Sequence, residues 1–204
     1  MFMIITSASF VRSSVTISQC PPPDRPEFGF IGRSNVGKSS LINMITGSRG
    51  LAKVSGSPGK TRTINHFLVN DSWYLVDLPG YGYAKVPAKM KESWNRSVQE
   101  YILKRENLAC LFVLIDSRHE PQNSDLAFME FLGLNGIPLA RVFTKSDKLS
   151  PAAVWKSIES YDRVMLSRWE SLPATFVSST LRKKGKEEIL SFIQETINNL
   201  SKLA

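Results

Sequence analysis

The stretch Gly32-Arg33-Ser34-Asn35-Val36-Gly37-Lys38-Ser39 has the form G-x-x-x-x-G-K-S. The apolar run Phe28-Gly29-Phe30-Ile31 leads into it, and an amphipathic run from Ser39 to Ile45 leads out. The first reads as a buried strand and the second as a helix ending near Gly47. A glycine-rich turn from strand to helix lets the backbone wrap phosphates with its N–H groups pointing inward. The helix N-terminus adds partial positive charge at the same place. Lys38 would reach the β- and γ-phosphates and support phosphoryl transfer, and the Ser39 hydroxyl would ligate Mg²⁺. This commits the chain to an α/β sheet and to a nucleoside triphosphate.

The rest of the chain supplies such a sheet. His66 to Asn70 and Trp73 to Asp77 alternate as two strands joined at Asp71-Ser72, an antiparallel hairpin. Pro87 opens a helix through Arg105, with Met90, Trp94, Val98 and Tyr101 on one face. Ala109 to Asp116 is a continuous apolar run, as in a strand buried on both sides. A helix over Asn123–Leu134 and a strand over Leu139–Thr144 follow. Pro151 opens a helix with Val154, Ile158, Tyr161, Met165 and Trp169 at helical spacing. Pro173–Ser178 is the last strand, and Lys186–Leu203 the closing helix. The expected fold is an α/β P-loop NTPase: a mostly parallel six-stranded sheet, one strand antiparallel, helices on both faces. Residues 1–26 read as an N-terminal extension leading into a single domain over 27–204, with Pro21-Pro22-Pro23 and Pro26 forming a stiff entry.

A chain of 204 residues, 42% hydrophobic and 22% charged, suits one soluble globule. No apolar run approaches the roughly 20 residues that span a bilayer, so no membrane association is expected. Cys20 and Cys110 stand far apart and form no disulfide framework, which suits a reducing cytoplasm. The start of the chain carries no secretory signal. Its acid-free serines and Arg12 faintly resemble a transit peptide, but the strand entering Gly32 follows too closely, and a native N-terminal segment is expected. A net charge of +8 points to a nucleic-acid or ribonucleoprotein partner. A monomer is expected.

Three further motifs complete a nucleotide site. Asp77-Leu78-Pro79-Gly80 falls at a strand end, where the carboxylate can hold a water on Mg²⁺ and the Gly80 N–H can contact a γ-phosphate. Thr144-Lys145-Ser146-Asp147 supplies the base. One carboxylate, Asp147, can accept both the N1–H and the N2 amino group of guanine, whereas adenine would leave it unpaired. The Lys145 stem can lie along the base, and Ser178-Ser179 can offer a backbone N–H to the guanine oxygen. The long aperiodic stretch Leu51–Asn65 has the length of a functional loop. Its Thr61 and Thr63, within Gly59-Lys60-Thr61-Arg62-Thr63, are both candidates to complete the Mg²⁺ shell. A threonine that holds Mg²⁺ only beside a γ-phosphate would make this loop nucleotide-dependent.

Gly32–Asn43, Ser57–Asn65, Asp77–Lys85, Asp116-Ser117-Arg118-His119 with Pro121, and Thr144–Leu149 together resemble the EngB (YsxC/YihA) family. These are small bacterial-type GTPases of the TRAFAC class. The resemblance runs from about Phe10 to the C-terminus. It implies a GTP-binding, GTP-hydrolysing switch acting in large ribosomal subunit assembly and, through it, in cell growth and division. It places Mg²⁺ on Ser39 and Thr61, and guanine recognition on Thr144–Asp147 and on Val177-Ser178-Ser179. Val177 departs from the family's usual aromatic. Asn35 resembles an asparagine that binds K⁺ in related GTPases.

Tyr81 stands where other GTPases place a glutamine that orients water. A phenol cannot present that amide, so slow intrinsic hydrolysis, completed by a partner or an ion, is expected. Cations group at Lys85, Lys89, Lys91 and Arg96, at Lys104 and Arg105, and at Arg182, Lys183, Lys184 and Lys186. The first group could couple contact with rRNA or a large-subunit precursor to the nucleotide state. Two other classes fit a P-loop: a small-molecule kinase, and an RNA-binding protein with a vestigial nucleotide site. Thr144–Asp147 weighs against the kinase, and the intact Lys38, Ser39 and Asp77 weigh against decay.

Overall fold

The computed structural model describes residues 3–52, 63–81 and 88–203. Among these residues seven strands form one sheet: β1 (Ala8–Ser14), β2 (Glu27–Gly32), β3 (Ile64–Val69), β4 (Trp73–Asp77), β5 (Leu108–Asp116), β6 (Leu139–Thr144) and β7 (Ala174–Val177). Their order is β1-β3-β4-β2-β5-β6-β7. β3 alone runs against the rest, pairing antiparallel with β1 and β4, while every other pair is parallel. The expected count of six becomes seven because Ala8–Ser14, read as extension, adds an edge strand. The Asn70 side chain pins its start: Oδ1 accepts from the Thr6 and Ser7 N–H groups, and Nδ2 donates to the Ile4 carbonyl.

Among the described residues five helices cover the sheet: α1 (Lys38–Thr46), α2 (Ala88–Lys104), α3 (Asn123–Leu134), α4 (Pro151–Leu166) and α5 (Lys186–Leu203). Strand alternation sorts the core into two layers. Phe28, Phe30, Phe112 and Leu114 face α1 and α5, where they meet Leu41, Ile42, Ile45, Ile189 and Ile193. Ile31, Val76, Leu111 and Val113 face α2, α3 and α4, meeting Val98, Tyr101, Met129, Ile158 and Tyr161. Phe30 and Phe112 stack with ring centroids 4.8 Å apart.

Local signals set the ends of these elements. Gly47 closes α1 in the left-handed region at φ 69°, where glycine bears no Cβ penalty. Ser150 caps α4 by accepting from the Ala153 N–H, with Pro151 at the first turn. The β3–β4 turn is centred on Asn70 and Asp71, at φ 48° and 51°, one residue earlier than the expected Asp71-Ser72. Both residue types tolerate that conformation. Trp169 lies beyond the end of α4 and packs on Gly133, where an added Cβ would stand 2.7 Å from the indole. The side chains of Met90 and Trp94 lie outside the described residues, as does Pro87.

At the foot of the sheet, remote from the P-loop, Glu27 is fully buried. It accepts from Arg105 Nε at 3.0 Å and Nη2 at 2.6 Å and from the Tyr101 hydroxyl. His66 Nε2 lies 3.3 Å from Glu27 Oε1 without the geometry of a hydrogen bond. Burial alone would raise the Glu27 carboxyl; the approach of His66 and the bonds from Arg105 and Tyr101 instead hold it down to about 2. Arg105 therefore does not belong to a basic surface. It anchors the C-terminal end of α2 to the start of β2 and to the Pro21 carbonyl.

Candidate functional site

The parallel strands end together, and the sequence motifs meet at that edge. Gly32 closes β2 where no side chain fits: a Cβ would stand 2.8 Å from the Leu114 carbonyl oxygen and 3.0 Å from Val36. Arg33, Ser34, Asn35 and Val36 form the turn, with Asn35 at φ 62°. Gly37, at φ 105°, opens α1, and the half-buried Ser39 lies in its first turn. An αL residue and a glycine ahead of a helix N-terminus are the backbone pattern that turns N–H groups toward an anion.

Lys38 is buried, and its ammonium contacts Asp77 at the end of β4. Burial pushes the ammonium down to about 7; the Asp77 carboxylate, or phosphate oxygens in its place, favours the charged form. Leu78 extends the pairing by donating its N–H to the Phe30 carbonyl at 3.0 Å. Pro79 is buried, and the half-buried Gly80 brings the chain out beside the P-loop. Among the described residues no three or more His, Cys, Asp or Glu cluster as a metal cage. A hydroxyl at Ser39 and a carboxylate at Asp77 are hard oxygen donors of the kind Mg²⁺ takes alongside phosphate and water.

The Thr144–Asp147 motif, expected to read the base, is bolted to the P-loop. The Thr144 hydroxyl donates to the Val36 carbonyl at 2.6 Å, and Lys145, at φ 58°, donates to the Asn35 carbonyl at 2.6 Å. Asp116 at the end of β5 holds Lys145 at 2.9 Å and Arg118 through both carboxylate oxygens. Burial alone would raise the Asp116 carboxyl, but the bonds from Arg118 and Lys145 hold it well below the carboxylate range. Ser117 donates to the Thr144 carbonyl at 2.6 Å. Asp116 was visible in the sequence only through the family resemblance. The signal available from the strands alone was its place at the end of β5, level with Thr144 in the β5–β6 register.

Ser146 donates its N–H to the Ser178 carbonyl at 3.1 Å. Asp147 Oδ1 accepts from the Ser179 hydroxyl at 2.7 Å, and this bond comes first among the causes holding its carboxyl below the usual range. Here the structure departs from expectation. The Ser178 N–H donates to the Phe143 carbonyl at 2.8 Å and the Ser179 N–H to the Lys184 carbonyl at 3.2 Å, so both amides expected to meet the guanine oxygen are engaged within the fold. The contribution of this loop that sequence reading missed is the Ser179 hydroxyl, which orients Asp147. Val177, half-buried, ends β7. Gly185, at φ 88°, lets the loop fold back, since a Cβ there would stand 2.5 Å from the Val177 carbonyl.

Gly59, Lys60, Thr61 and Arg62 lie outside the described residues. Thr63 is described, and its hydroxyl donates to Asn65 Oδ1 at 3.0 Å. Asn43 fastens the chain entering that loop, exchanging bonds of 2.9 and 2.8 Å with Ala52. Lys85 and the side chains of Lys89 and Lys91 are likewise outside the described residues. Arg182, Lys183 and Lys184 are exposed beside the Asp147 loop.

This combination of a P-loop, a carboxylate facing its lysine and a Thr144–Asp147 loop tied to the P-loop backbone is that of a P-loop GTPase. Residues 27–145 match the family described as 50S ribosome-binding GTPase. A "Probable GTP-binding protein EngB" of Porphyromonas gingivalis is 56% identical over 96% of this chain and 97% of its own. One from Christiangramia forsetii is 52% identical over 97% and 99%. The chain belongs to the EngB family of GTP-binding proteins. A crystal structure of a probable GTP-binding protein engB is 25% identical, with a TM-score of 0.66 over 85% of this chain and 99% of that one. Era in complex with MgGDPNP and nucleotides 1506–1542 of 16S ribosomal RNA shares the fold at 19% identity, with a TM-score of 0.66 over 84% of this chain and 56% of that one. No helix among the described residues is long and apolar enough to cross a membrane.

Proposed function

We propose that this GTPase is a cytoplasmic, monomeric switch whose GTP-bound form engages a precursor of the large ribosomal subunit, timing its assembly and through it cell growth and division. The observation carrying this reading is Asp147. It is a carboxylate oriented by Ser179 on a loop fastened to the P-loop through Thr144, an arrangement that pairs guanine and rejects adenine. A small-molecule kinase has no use for it. The family description, which names the 50S ribosome, and the net charge of +8 support the ribosomal partner.

Gly32–Ser39 would cradle the phosphates and Gly80 would meet the γ-phosphate. Ser39 and Thr61 would hold Mg²⁺, with Asp77 acting through a water. The metal would neutralise charge on the transferring phosphoryl group. Lys38 would leave Asp77 for the phosphate oxygens. Thr144–Asp147 would hold guanine, with the Ser179 hydroxyl keeping Asp147 in place. Intrinsic hydrolysis is slow because Tyr81 presents no amide to the attacking water, and a ribosomal partner or K⁺ at Asn35 completes the site.

Sedimentation of a cell extract with added protein tests this, comparing GDP with a non-hydrolysable GTP analogue at two salt concentrations. Co-migration with large-subunit particles in the GTP form, weakened by salt, is the expected result. Protein remaining at the top of the gradient in both states overturns the ribosomal role while leaving GTP binding intact.

A further inference from the structure

Tyr81 follows Gly80 directly, yet its side chain is turned onto α3. Its backbone forms a parallel bridge with Arg33 of the P-loop. Its ring stacks on Phe128 with centroids 4.6 Å apart and planes 27° apart. Its hydroxyl is buried toward Asp125, the first acidic residue of α3. Asp125 is itself 2% exposed. Its Oδ2 accepts from the Tyr161 hydroxyl at 3.0 Å, and that hydroxyl accepts the Gln122 N–H at 3.2 Å. Its Oδ1 and the Tyr81 hydroxyl are both buried without a well-formed hydrogen bond. Arg33 and Asp125 line one cavity of about 70 Å³ with Asp116, His119 and Gln122.

A buried carboxylate oxygen and a buried phenol set side by side are each costly unless they serve one another. Nothing in phosphate or base binding uses either. We propose that Asp125 is a positioning residue: with Phe128 it docks Tyr81 on α3, and this docking opposes the placement of Gly80 that a γ-phosphate requires. Resting on the GTP-binding reading above, it makes α3 a brake that biases the protein toward the diphosphate. The sign follows from the geometry. Tyr81 is held to both α3 and Arg33, so Gly80 cannot move toward a third phosphate without pulling its neighbour, whereas a diphosphate asks nothing of Gly80. A ligand shifts a conformational balance only by its differential affinity for the two arrangements.

The test titrates a fluorescent GDP and a fluorescent non-hydrolysable GTP analogue against the wild type, Tyr81→Phe, Asp125→Asn and the double variant. Each single change should raise affinity for the analogue relative to GDP about fivefold, the order of what one buried polar contact contributes, with GDP itself within about twofold. The double variant should gain little beyond either single one, because both break one contact. A merely structural role would move both affinities together. An unchanged ratio in both single variants, or additive effects, overturns the brake. Should Asp125→Asn fold poorly, Tyr81→Phe alone carries the expectation, since it removes one oxygen from a half-buried ring. The wild-type titration is read first and tests GTP binding by itself. Melting temperatures of the same four nucleotide-free proteins must also be non-additive, and additive shifts overturn the contact whatever the protein binds.

Discussion

Glu27 offers the most quantitative check on the fold. Its carboxyl is held to about 2 against an ordinary 4.5, inside a cluster with Arg105, Tyr101 and His66. A carboxyl depressed in the folded state contributes stability that is fully present above the unfolded value of 4.5 and is lost as pH falls toward the folded value of 2. Linkage with these two values makes the wild type lose about 2 kcal/mol through this one group between about pH 7 and about pH 3. Glu27→Gln leaves the Arg105 guanidinium, whose side chain is 6% exposed, without its counter-charge. At neutral pH it should cost about 3–5 kcal/mol, the usual penalty for breaking a buried pair from one side. The variant has no carboxyl to protonate, so the stability gap between the two proteins should narrow by about 2 kcal/mol on acidification. Urea unfolding of both proteins at the two pH values measures this. Tyr101→Phe, which removes a single hydroxyl, is a milder companion and should show a smaller gap. A gap that stays constant within about 0.5 kcal/mol would refute the assignment of the Glu27 carboxylate as the depressed group.

The nucleotide site yields three further expectations. Asp147→Asn should weaken GDP binding at least about 100-fold and favour xanthine nucleotides, because an amide N–H suits the C2 carbonyl of xanthine and meets the guanine amino group donor to donor; competition binding with both bases checks it. Ser179→Ala removes the bond that orients Asp147. The Ser179 hydroxyl also accepts the Arg182 N–H at 3.1 Å, so the change should weaken GDP about tenfold and lower stability by about 1 kcal/mol, as titration and calorimetry on one sample can establish. Gly185→Ala combines a φ of 88° with a Cβ 2.5 Å from the Val177 carbonyl. It should lower both stability, by about 2 kcal/mol or more in denaturant unfolding, and GDP affinity.

Local chemistry was readable from the residues and long-range pairing was not. The P-loop, the ends of α1 at Gly47 and α4 at Ser150-Pro151, and the alternation of Phe28 and Phe30 against Gly29 and Ile31 are all written within a few residues. β1 escaped because most of Ala8–Ser14 is exposed; membership of the sheet comes from β3, and no hydrophobic period marks it. Arg105 looked like one more surface cation until Glu27, 78 residues earlier, was set beside it. The Ser179–Asp147 bond joins residues 32 apart, and the Lys145–Asp116 pair joins residues 29 apart. Each motif was legible alone, but which hydroxyl orients which carboxylate depends on how β5, β6 and β7 end against one another. The Ser178-Ser179 amides show the converse: their position was foreseen, and their partners were set by Phe143 and by the return of the chain at Lys184.

The edge position of β1 also bears on the order in which the protein comes together. Ser13 meets Asn65 across 52 residues of chain, and Thr6 meets Asn70 across 64. Being made before β3, this segment has nothing to pair with until β3 has followed. Closing so long a loop costs entropy before any contact repays it. β1 is then among the last strands to join, although it precedes the other described strands. Once joined, it is paired among the described residues on one edge, mainly by backbone bonds to β3 and the Asn70 side chain. Its amides should open and close well below the global unfolding free energy, while those of β2 and β5 at the centre of the sheet report the stability of the whole.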